Sequence, residues 1–476
     1  MRFWLLGMGA VVWGQTVVAE LALDRRQPRP LRAEYVAADG GLVTLSYKTP
    51  TSIRTFALHK YDADLHWEWT QDLFDQSSGE ELAHLAVVDT QIWVFTQRVE
   101  RNQVAFYGYA LDLEGRFRRR GERLFVVDHR GAKDPRVELT YAPNRRYACL
   151  SVATETAPDS ADRVHFFLVG PETTQTGVWL FPYSERQLEV RRPVQPSHEG
   201  RLFALGAVRK REAPFPEYYL FQYIPQENLT LTLSLEVEGV YLIEPTFRIE
   251  KGGGVRIAAF YSERRGSPQV QGLLFARVEG PGFFLSNVQR TPLPREVLQR
   301  YLSERQIERG RGIPDLYLDH LVPRAGGGAL LVGEQFYITT TTFRDFYGFW
   351  YTQDTYHYED IVVFAVDSLG QLEWWRVVPK SQAGTSDTEL SYGLLVGPTR
   401  LYFFYRGYAR GVGSQVFVVT LGEGGELTAP RPFIQGFRPS DVFYRKLTRQ
   451  LTNTEGLIAY TQGRTGRFIL ARLELE

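Results

Sequence analysis

Asp360-Ile-Val-Val-Phe-Ala-Val-Asp-Ser-Leu-Gly-Gln-Leu-Glu-Trp-Trp-Arg-Val-Val378 is the stretch that decides the fold. An apolar run leads into a turn at 367–370, and a second run rich in aromatic and β-branched residues follows it. Asp and Gly tolerate the backbone angles of a tight turn, so this pattern predicts a β-hairpin. A further strand-like run at 329–338 precedes the hairpin and extends the unit over 326–380.

The same hairpin recurs along the chain in a weaker form. Neighbouring turns lie about 50 to 55 residues apart, and four strands fit in each interval, which is the pattern of a β-propeller blade. We therefore predict an all-β fold, a single β-propeller with eight four-stranded blades, and keep seven blades as the alternative. The turns that mark the repeat lie near Asp62, Asp112, Glu279, Asp367 and Gly422.

The last repeat has too few strands of its own. The segments 441–447, 456–462 and 467–475 supply three, and we expect 16–23 to complete the sheet from the other end of the chain. Propellers close in this way because a borrowed strand covers an otherwise open sheet edge.

Composition limits the function classes. The chain has 476 residues and 43% hydrophobic residues, so it can bury a large core, and Lys plus Arg equals Asp plus Glu at 55 each. Because no net field attracts phosphates, we expect no nucleic-acid partner. Cys149 is the single cysteine, which permits no internal disulfide and reads as a small buried hydrophobe.

The first residues resemble an export signal. Arg2 precedes the apolar run 3–13, and cleavage after Gly14 or Ala19 would suit a signal peptidase, leaving a propeller domain over 20–476. The alternatives are a buried strand and a retained anchor. No later apolar run reaches the roughly 18 residues of a transmembrane helix, so we expect no transmembrane segment.

Two insertions interrupt the repeat. The first, 294–310, predicts one helix over 294–308, with Val297, Leu298, Tyr301 and Leu302 docking on the sheets and a partner-binding helix as the alternative. The second is 339–359, which we expect to be a long aromatic loop.

This aromatic segment carries the candidate ligand-binding residues Trp350, Tyr347, Tyr351 and Tyr356. Flat rings beside carboxylates suit carbohydrate and peptide clefts. The alternative is a small local core that holds the insertion against the propeller, and we lean towards it. Replacing Trp350 by Ala would distinguish the two by its effect on stability.

No catalytic motif emerges. The chain has no phosphate-binding loop, no zinc-protease pattern and no nucleophile elbow, and its eight histidines are scattered singly. We therefore expect no cofactor and no metal site. Glu334 and Asp360 are weak candidates for a carboxylate pair, and the basic runs 116–123 and 209–212 read as charged edge strands and loops.

Part of the chain resembles a known family. Gly328-Ala-Leu-Leu-Val-Gly-Glu-Gln-Phe-Tyr337, the tyrosine-rich segment, Asp367-Ser-Leu-Gly-Gln-Leu-Glu-Trp374 and Val378-Pro-Lys-Ser-Gln382 are similar to exported, β-propeller-like proteins of Bacteroidota. The likeness is strongest over about 246–405. It implies a fold and an exported location, in the periplasm or outside the cell, and no activity.

These observations leave two hypotheses. The first is an exported, monomeric binding or scaffolding propeller for a protein or carbohydrate of the cell envelope. The second is a glycan-active lyase or hydrolase with its site at the mouth of the propeller channel, where Glu334 and Asp360 would have to converge.

Overall fold

The computed structural model describes most of the chain. The described residues are 15–23, 30–48, 55–75, 79–128, 135–153, 163–181, 188–190, 193–208, 215–250, 252–279, 282–344, 346–387, 389–409, 413–433, 441–462 and 467–476. No helix among them is long and apolar enough to cross a membrane.

The described strands form eight antiparallel sheets, each built on four strands that are hydrogen-bonded in order. The first strand of the chain, β1 (Gln15–Leu23), belongs to the last sheet. Sheet 1 contains β2 (Pro30–Tyr35), β3 (Leu42–Lys48), β4 (Thr55–Tyr61) and β5 (Trp67–Asp75). Sheet 2 contains β6 (Glu81–Val88), β7 (Gln91–Glu100), β8 (Gln103–Leu111) and β9 (Phe117–Asp128). Sheet 3 contains β10 (Arg136–Tyr141), β11 (Ala148–Ala153), β12 (Arg163–Val169) and β13 (Thr174–Leu180).

The middle of the chain continues this pattern. Sheet 4 contains β14 (Leu188–Val190), β16 (Leu202–Val208), β17 (Glu217–Ile224) and β18 (Leu229–Ser234), with the short β15 (Gln195–Pro196) also paired to β16. Sheet 5 contains β19 (Tyr241–Ile249), β20 (Val255–Ser262), β21 (Gly272–Glu279) and β22 (Phe284–Pro292). Sheet 6 contains β23 (Leu316–Pro323), β24 (Ala329–Arg344), β25 (Trp350–Val366) and β26 (Leu372–Val378), with β27 (Gln382–Gly384) paired to β25.

Two sheets remain. Sheet 7 contains β28 (Tyr392–Val396), β29 (Arg400–Ala409), β30 (Gly413–Gly422) and β31 (Arg431–Pro432). Sheet 8 contains β32 (Arg449–Gln450), β33 (Glu455–Gln462), β34 (Arg467–Leu475) and β1. Eight four-stranded sheets in chain order confirm the predicted fold class, an all-β propeller with eight blades.

The described residues separate into two compact units, one within 1–76, 336–361 and 376–476 and the other within 77–335 and 362–375. In both, the sheets bury their middle strands. Every residue of β16 and β20 is buried, whereas β18 and β22, the fourth strands of their sheets, alternate between exposed and half-buried positions. The basic strand β9 is the fourth strand of sheet 2 and its arginines are exposed, so they occupy an edge as the sequence predicts.

The repeated turns have one physical basis. Asp112 and Asp367 each accept the backbone N–H of the residue four positions later through a side-chain oxygen, at 2.9 and 2.8 Å. The residue three positions after each Asp closes the turn and is a glycine, and Gly370 has a φ of 85°. A side chain there would strain the backbone, so the Asp-x-x-Gly pattern encodes this turn directly.

Sheet 8 is completed from the amino-terminal side, as predicted for 16–23. β1 pairs with β34 from Gln15 opposite Leu475 to Leu23 opposite Phe468. Tyr460 donates a hydrogen bond to Glu20 at 3.2 Å. Burial and the charge of Glu20 raise the pKa of that tyrosine. The expected strand at 441–447 is wrong in part, because its end is a 3-10 helix (Arg445–Leu447) and β32 takes the place in the sheet.

The predicted single helix is broken in two. Helix α1 (Arg295–Tyr301) and helix α2 (Glu304–Glu308) are separated at Ser303, whose backbone N–H donates to Oε1 of Gln306 at 2.8 Å. This contact caps a second helix start. Val297 is buried as expected.

Candidate binding site

The segment 339–359 is not a loop. Its described residues extend β24 and β25, which have 16 and 17 residues, into a long hairpin. The expectation of an irregular aromatic loop is therefore wrong. Thr and aromatic residues have high strand propensity, and a strand satisfies their backbone groups by pairing.

Side-chain contacts between the two strands follow one register. The rings of Tyr337 and His357 stack at 4.5 Å. The hydroxyl of Thr340 donates to Asp354 at 2.6 Å, three residues further along both strands. After another three residues on each strand, Phe343 meets Tyr351 edge to face. The hairpin therefore stays in register to its end.

The base of this hairpin is packed. Tyr358 is buried, its ring centroid lies 4.5 Å from that of Phe336, and the cations of Lys380 and Arg445 lie 5.8 and 5.7 Å from the centroid of Tyr358. Lys380 also donates to the backbone carbonyl of Tyr358 at 3.1 Å. These contacts all belong to one compact unit and fix where the hairpin starts.

Tyr356 belongs to this packed base. It is half-buried, and its ring stacks on Phe336 with the planes 17° apart. It therefore lies apart from the exposed aromatic residues with which the sequence grouped it.

The far end of the hairpin is exposed. We call residues 338–344 and 350–355 the outer hairpin, and 346–349 the turn that joins its strands. All residues of the outer hairpin except Phe343 and Thr355 are exposed, so neither face is covered by the rest of the described chain. Five aromatic side chains of the outer hairpin and its turn are exposed. Their exposed fractions are 99% for Phe346, 84% for Tyr347, 73% for Phe349, 70% for Trp350 and 45% for Tyr351.

The exposure of these rings bears on the local-core interpretation of the aromatic segment. A local core would enclose its rings, whereas Trp350 is 70% exposed and Tyr347 more so. The guanidinium of Arg344 lies 5.8 Å from the Trp350 ring, and its Nε donates to the carbonyl of Gly348 at 2.9 Å. The local-core alternative is therefore wrong for Trp350 and Tyr347.

The outer hairpin also presents strand edges. On one side, β23 pairs with β24 only as far as Gln335. On the other side, β27 pairs with β25 only over Tyr356–Tyr358. Among the described residues, no other strand pairs with β24 beyond Gln335 or with β25 before Tyr356, apart from the pairing of these two strands with each other.

The two candidate carboxylates lie away from the exposed aromatic residues. Glu334 is 3% exposed, within the buried part of β24 and opposite Tyr317 of β23. Asp360 is half-buried in β25 and accepts the backbone N–H of Lys380 at 3.3 Å. Each is held in the body of its sheet, and neither contributes to the outer hairpin.

One group of side chains has the composition of a weak cation site. Ligand atoms of Asp62, Asp64 and His66 lie within 4.8 Å of one another. Oδ1 of Asp62 already accepts the backbone N–H groups of Asp64 and His66 at 2.9 and 2.8 Å, the same turn contacts as at Asp367. Partial burial acts to raise the pKa of Asp62, but these hydrogen bonds lower it, and the net shift is downward. We assign this group to the turn.

Sequence reasoning missed a cavity in the other compact unit. It is lined by segments around Phe215, Leu235–Leu242 and Glu263, which fall in three separate connections of sheets 4 and 5. No spacing in the sequence signals that these connections meet, because their proximity depends on how neighbouring sheets pack.

The fold and these surfaces define a β-propeller with an exposed aromatic hairpin. No protein-family model and no curated protein matches the chain. Among solved structures, a polysaccharide lyase is similar at 10% identity, covering 82% of this chain and 89% of the other, with a TM-score of 0.40. The β-propeller domain of the Trilobed protease from Pyrococcus furiosus is similar at 9% identity, with 82% and 93% coverage and a TM-score of 0.37.

A structure from a study of two prolyl endopeptidases is similar at 12% identity over 94% of this chain, with a TM-score of 0.41. The chain spans about half the length of that endopeptidase, 54%. Likeness at this level carries no argument about activity.

Proposed function

We propose that this protein is an exported binding module that engages a protein of the cell envelope through its outer hairpin. The observation that carries the proposal is the group of exposed aromatic side chains at the hairpin end, including Trp350 and Tyr347. Large exposed apolar patches cost solubility, so a soluble fold keeps one chiefly where a partner covers it.

The residue types favour a protein partner. Trp, Tyr and Arg dominate the energetic centres of protein interfaces, and Trp350, Tyr347 and Arg344 occur together here. Small ligands and sugars usually bind in concave sites. The outer hairpin is exposed on both faces and offers no described enclosure, which favours a partner that supplies the pocket.

The strand edges suggest how such a partner binds. An exposed edge accepts an extended segment of another chain by backbone hydrogen bonding. Natural edges are usually protected by charge or proline, but 338–355 has no proline, and its charged residues are Arg344, Asp345 and Asp354, so 338–343 carries none. We propose that the partner aligns a strand along one of these two edges, while the aromatic residues of the outer hairpin and its turn anchor the end of the partner's strand.

The location is part of this proposal. The apolar run 3–13 after Arg2 supports export. Cleavage after Gly14 would leave β1 whole, whereas cleavage after Ala19 would remove its first half and the pairing opposite Arg472–Leu475. We therefore favour Gly14 as the cleavage site.

Site-specific photocrosslinking tests the function. A photoreactive phenylalanine replaces Tyr347 in one variant and Trp67 in the control variant, since Trp67 is 63% exposed in a different sheet. Both proteins are irradiated with cell-envelope proteins, and the captured species are identified and purified. A true partner is captured from position 347 and not from position 67.

Affinity measurements complete the test. Loss of a central aromatic anchor typically costs about 1–3 kcal/mol, so Trp350→Ala should weaken binding of the purified partner about 5- to 150-fold. Trp67→Ala should leave it unchanged. If Trp350→Ala binds the partner as tightly as the wild type, the hairpin is not the binding surface. If a panel of purified envelope glycans shows the Trp350-dependent binding instead, the partner is a carbohydrate.

A further inference from the structure

A cavity of about 590 Å³ lies where sheets 4 and 5 meet, within one compact unit. This volume is in the range of sites that hold small organic molecules. Its floor is apolar, formed by the buried side chains of Tyr218, Leu235, Val240 and Leu242. These residues belong to the core that the two sheets share, so the floor is firmly packed.

Two aromatic rings form one wall. Phe215 and Tyr241 stack with their centroids 5.2 Å apart and their planes 23° apart. Both line the cavity and both are half-buried, so part of each ring remains accessible. An aromatic face with a free side attracts cations through its quadrupole.

The charged lining is strongly one-sided. Among the described residues that line the cavity, four carry carboxylates and one carries a guanidinium, and these are Glu217, Glu236, Glu238, Glu263 and Arg265. The guanidinium of Arg290 lies beside the lining, on the carbonyl of Glu238. The chain as a whole is neutral, so this local excess of negative charge is a property of the cavity. Carboxylates around a partly apolar space favour a cation over a neutral sugar and oppose an anion.

The lining is held in place by hydrogen bonds. The carbonyl of Glu238 accepts from Arg290 at 2.8 Å, and Leu235 donates to the carbonyl of Tyr218 at 2.9 Å. The backbone of Glu263 donates to Gln271 at 2.7 Å. Because these contacts hold the lining in place, binding would require little ordering of it, which favours affinity.

We propose that this cavity binds an organic cation, an ammonium or guanidinium group carried on an apolar stem. The stem would lie on the floor at Tyr218 and Leu242, and the charged group would lie between the Tyr241 ring and the carboxylates. The same chemistry is offered by a Lys or Arg side chain of a peptide and by a free aliphatic amine. This site is independent of the outer hairpin and of the function proposed for it.

Calorimetric titration with three defined probes tests the proposal. They are Nα-acetyl-lysine methylamide, its Nε-acetylated neutral analogue, and 1,5-diaminopentane. We expect the neutral analogue to bind about 10-fold or more weakly than the lysine compound, because acetylation removes the cation and keeps the stem. Binding of the lysine compound alone identifies a peptide side chain as the source, and binding of the diamine identifies a free amine.

Two sets of variants link the binding to this cavity. The exposed pair Glu238→Gln and Glu263→Gln should weaken the cation about 10-fold, and Tyr241→Leu should weaken it while keeping an apolar wall. The control pair Glu172→Gln and Glu227→Gln removes two exposed charges that do not line the cavity and should change nothing. Three results would overturn the proposal. The neutral analogue would bind as tightly as the lysine compound, neither cation would bind at millimolar concentration, or both pairs of variants would lose the same affinity.

Discussion

Replacing Trp350 by Ala should have little effect on stability, and the matched change Trp179→Ala should have a large one. Trp350 is 70% exposed, so less than a third of its surface is covered. Trp179 is fully buried, stacks on Tyr223 and packs against Phe181 at a tilt. A Trp side chain buries at most about 250 Å². A third of that area at about 25 cal/mol per Å² gives an upper bound of about 2 kcal/mol, and residual burial in the unfolded chain brings it to about 1.5 kcal/mol.

The loss of stability expected for the control variant, Trp179→Ala, is larger. Removing a fully buried Trp loses its transfer free energy and leaves a cavity, which costs about 3–5 kcal/mol. Urea unfolding followed by far-ultraviolet circular dichroism measures both free energies of unfolding in the same protein. A loss for Trp350→Ala as large as that for Trp179→Ala would show that the ring is enclosed in solution. It would also refute the argument that the hairpin end is free to bind.

Three further predictions concern the rest of the chain. Removing Gln15–Leu23 should lower the free energy of unfolding by roughly 3–6 kcal/mol, because sheet 8 loses its edge strand and the burial of Leu23. A melting temperature equal to that of the longer protein would show that β1 does not stabilise sheet 8. Cys149 is fully buried and burial raises the pKa of its thiol, so a thiol reagent should modify it only in denaturant; rapid reaction of the native protein would contradict the packing. Burial and the charge of Arg163 lower the pKa of His165, so the folded state resists its protonation and stability should fall as the pH drops from 7.5 to 5. Thermal unfolding of His165→Leu across that range should show a shallower pH dependence, and an unchanged slope would assign the effect to other groups.

The parts of the fold that the sequence predicts are those with local causes. The turns at Asp112 and Asp367 follow from Asp side chains that accept backbone N–H groups, and the number of sheets follows from their spacing. The strand β2 (Pro30–Tyr35) has no such signal. Its charged residues obscure the alternation, and its pairing with β3 (Leu42–Lys48) fixes it as a strand.

Two predictions were wrong although the sequence contains the pattern that would have corrected them. The Ser303 and Gln306 pair is a readable helix start, and it lies inside the segment that we treated as one helix. The aromatic segment is rich in Thr and aromatic residues, which favour strands, but its length as an insertion suggested a loop. Which rings are exposed cannot be read from the sequence, because exposure depends on whether another element covers the hairpin.

The pairing of β1 with β34 determines an order of assembly. The hydrogen bond between Tyr460 and Glu20 joins residues 440 positions apart, so sheet 8 cannot form until nearly the whole chain has been made. The entropy of closing so long a loop grows only with the logarithm of its length, but contacts this distant in sequence form slowly. Until they form, β1 and β34 each present an unpaired edge to other chains. The step that completes the last sheet is therefore open to competition from aggregation, and a folding factor that shields these edges would act at this step.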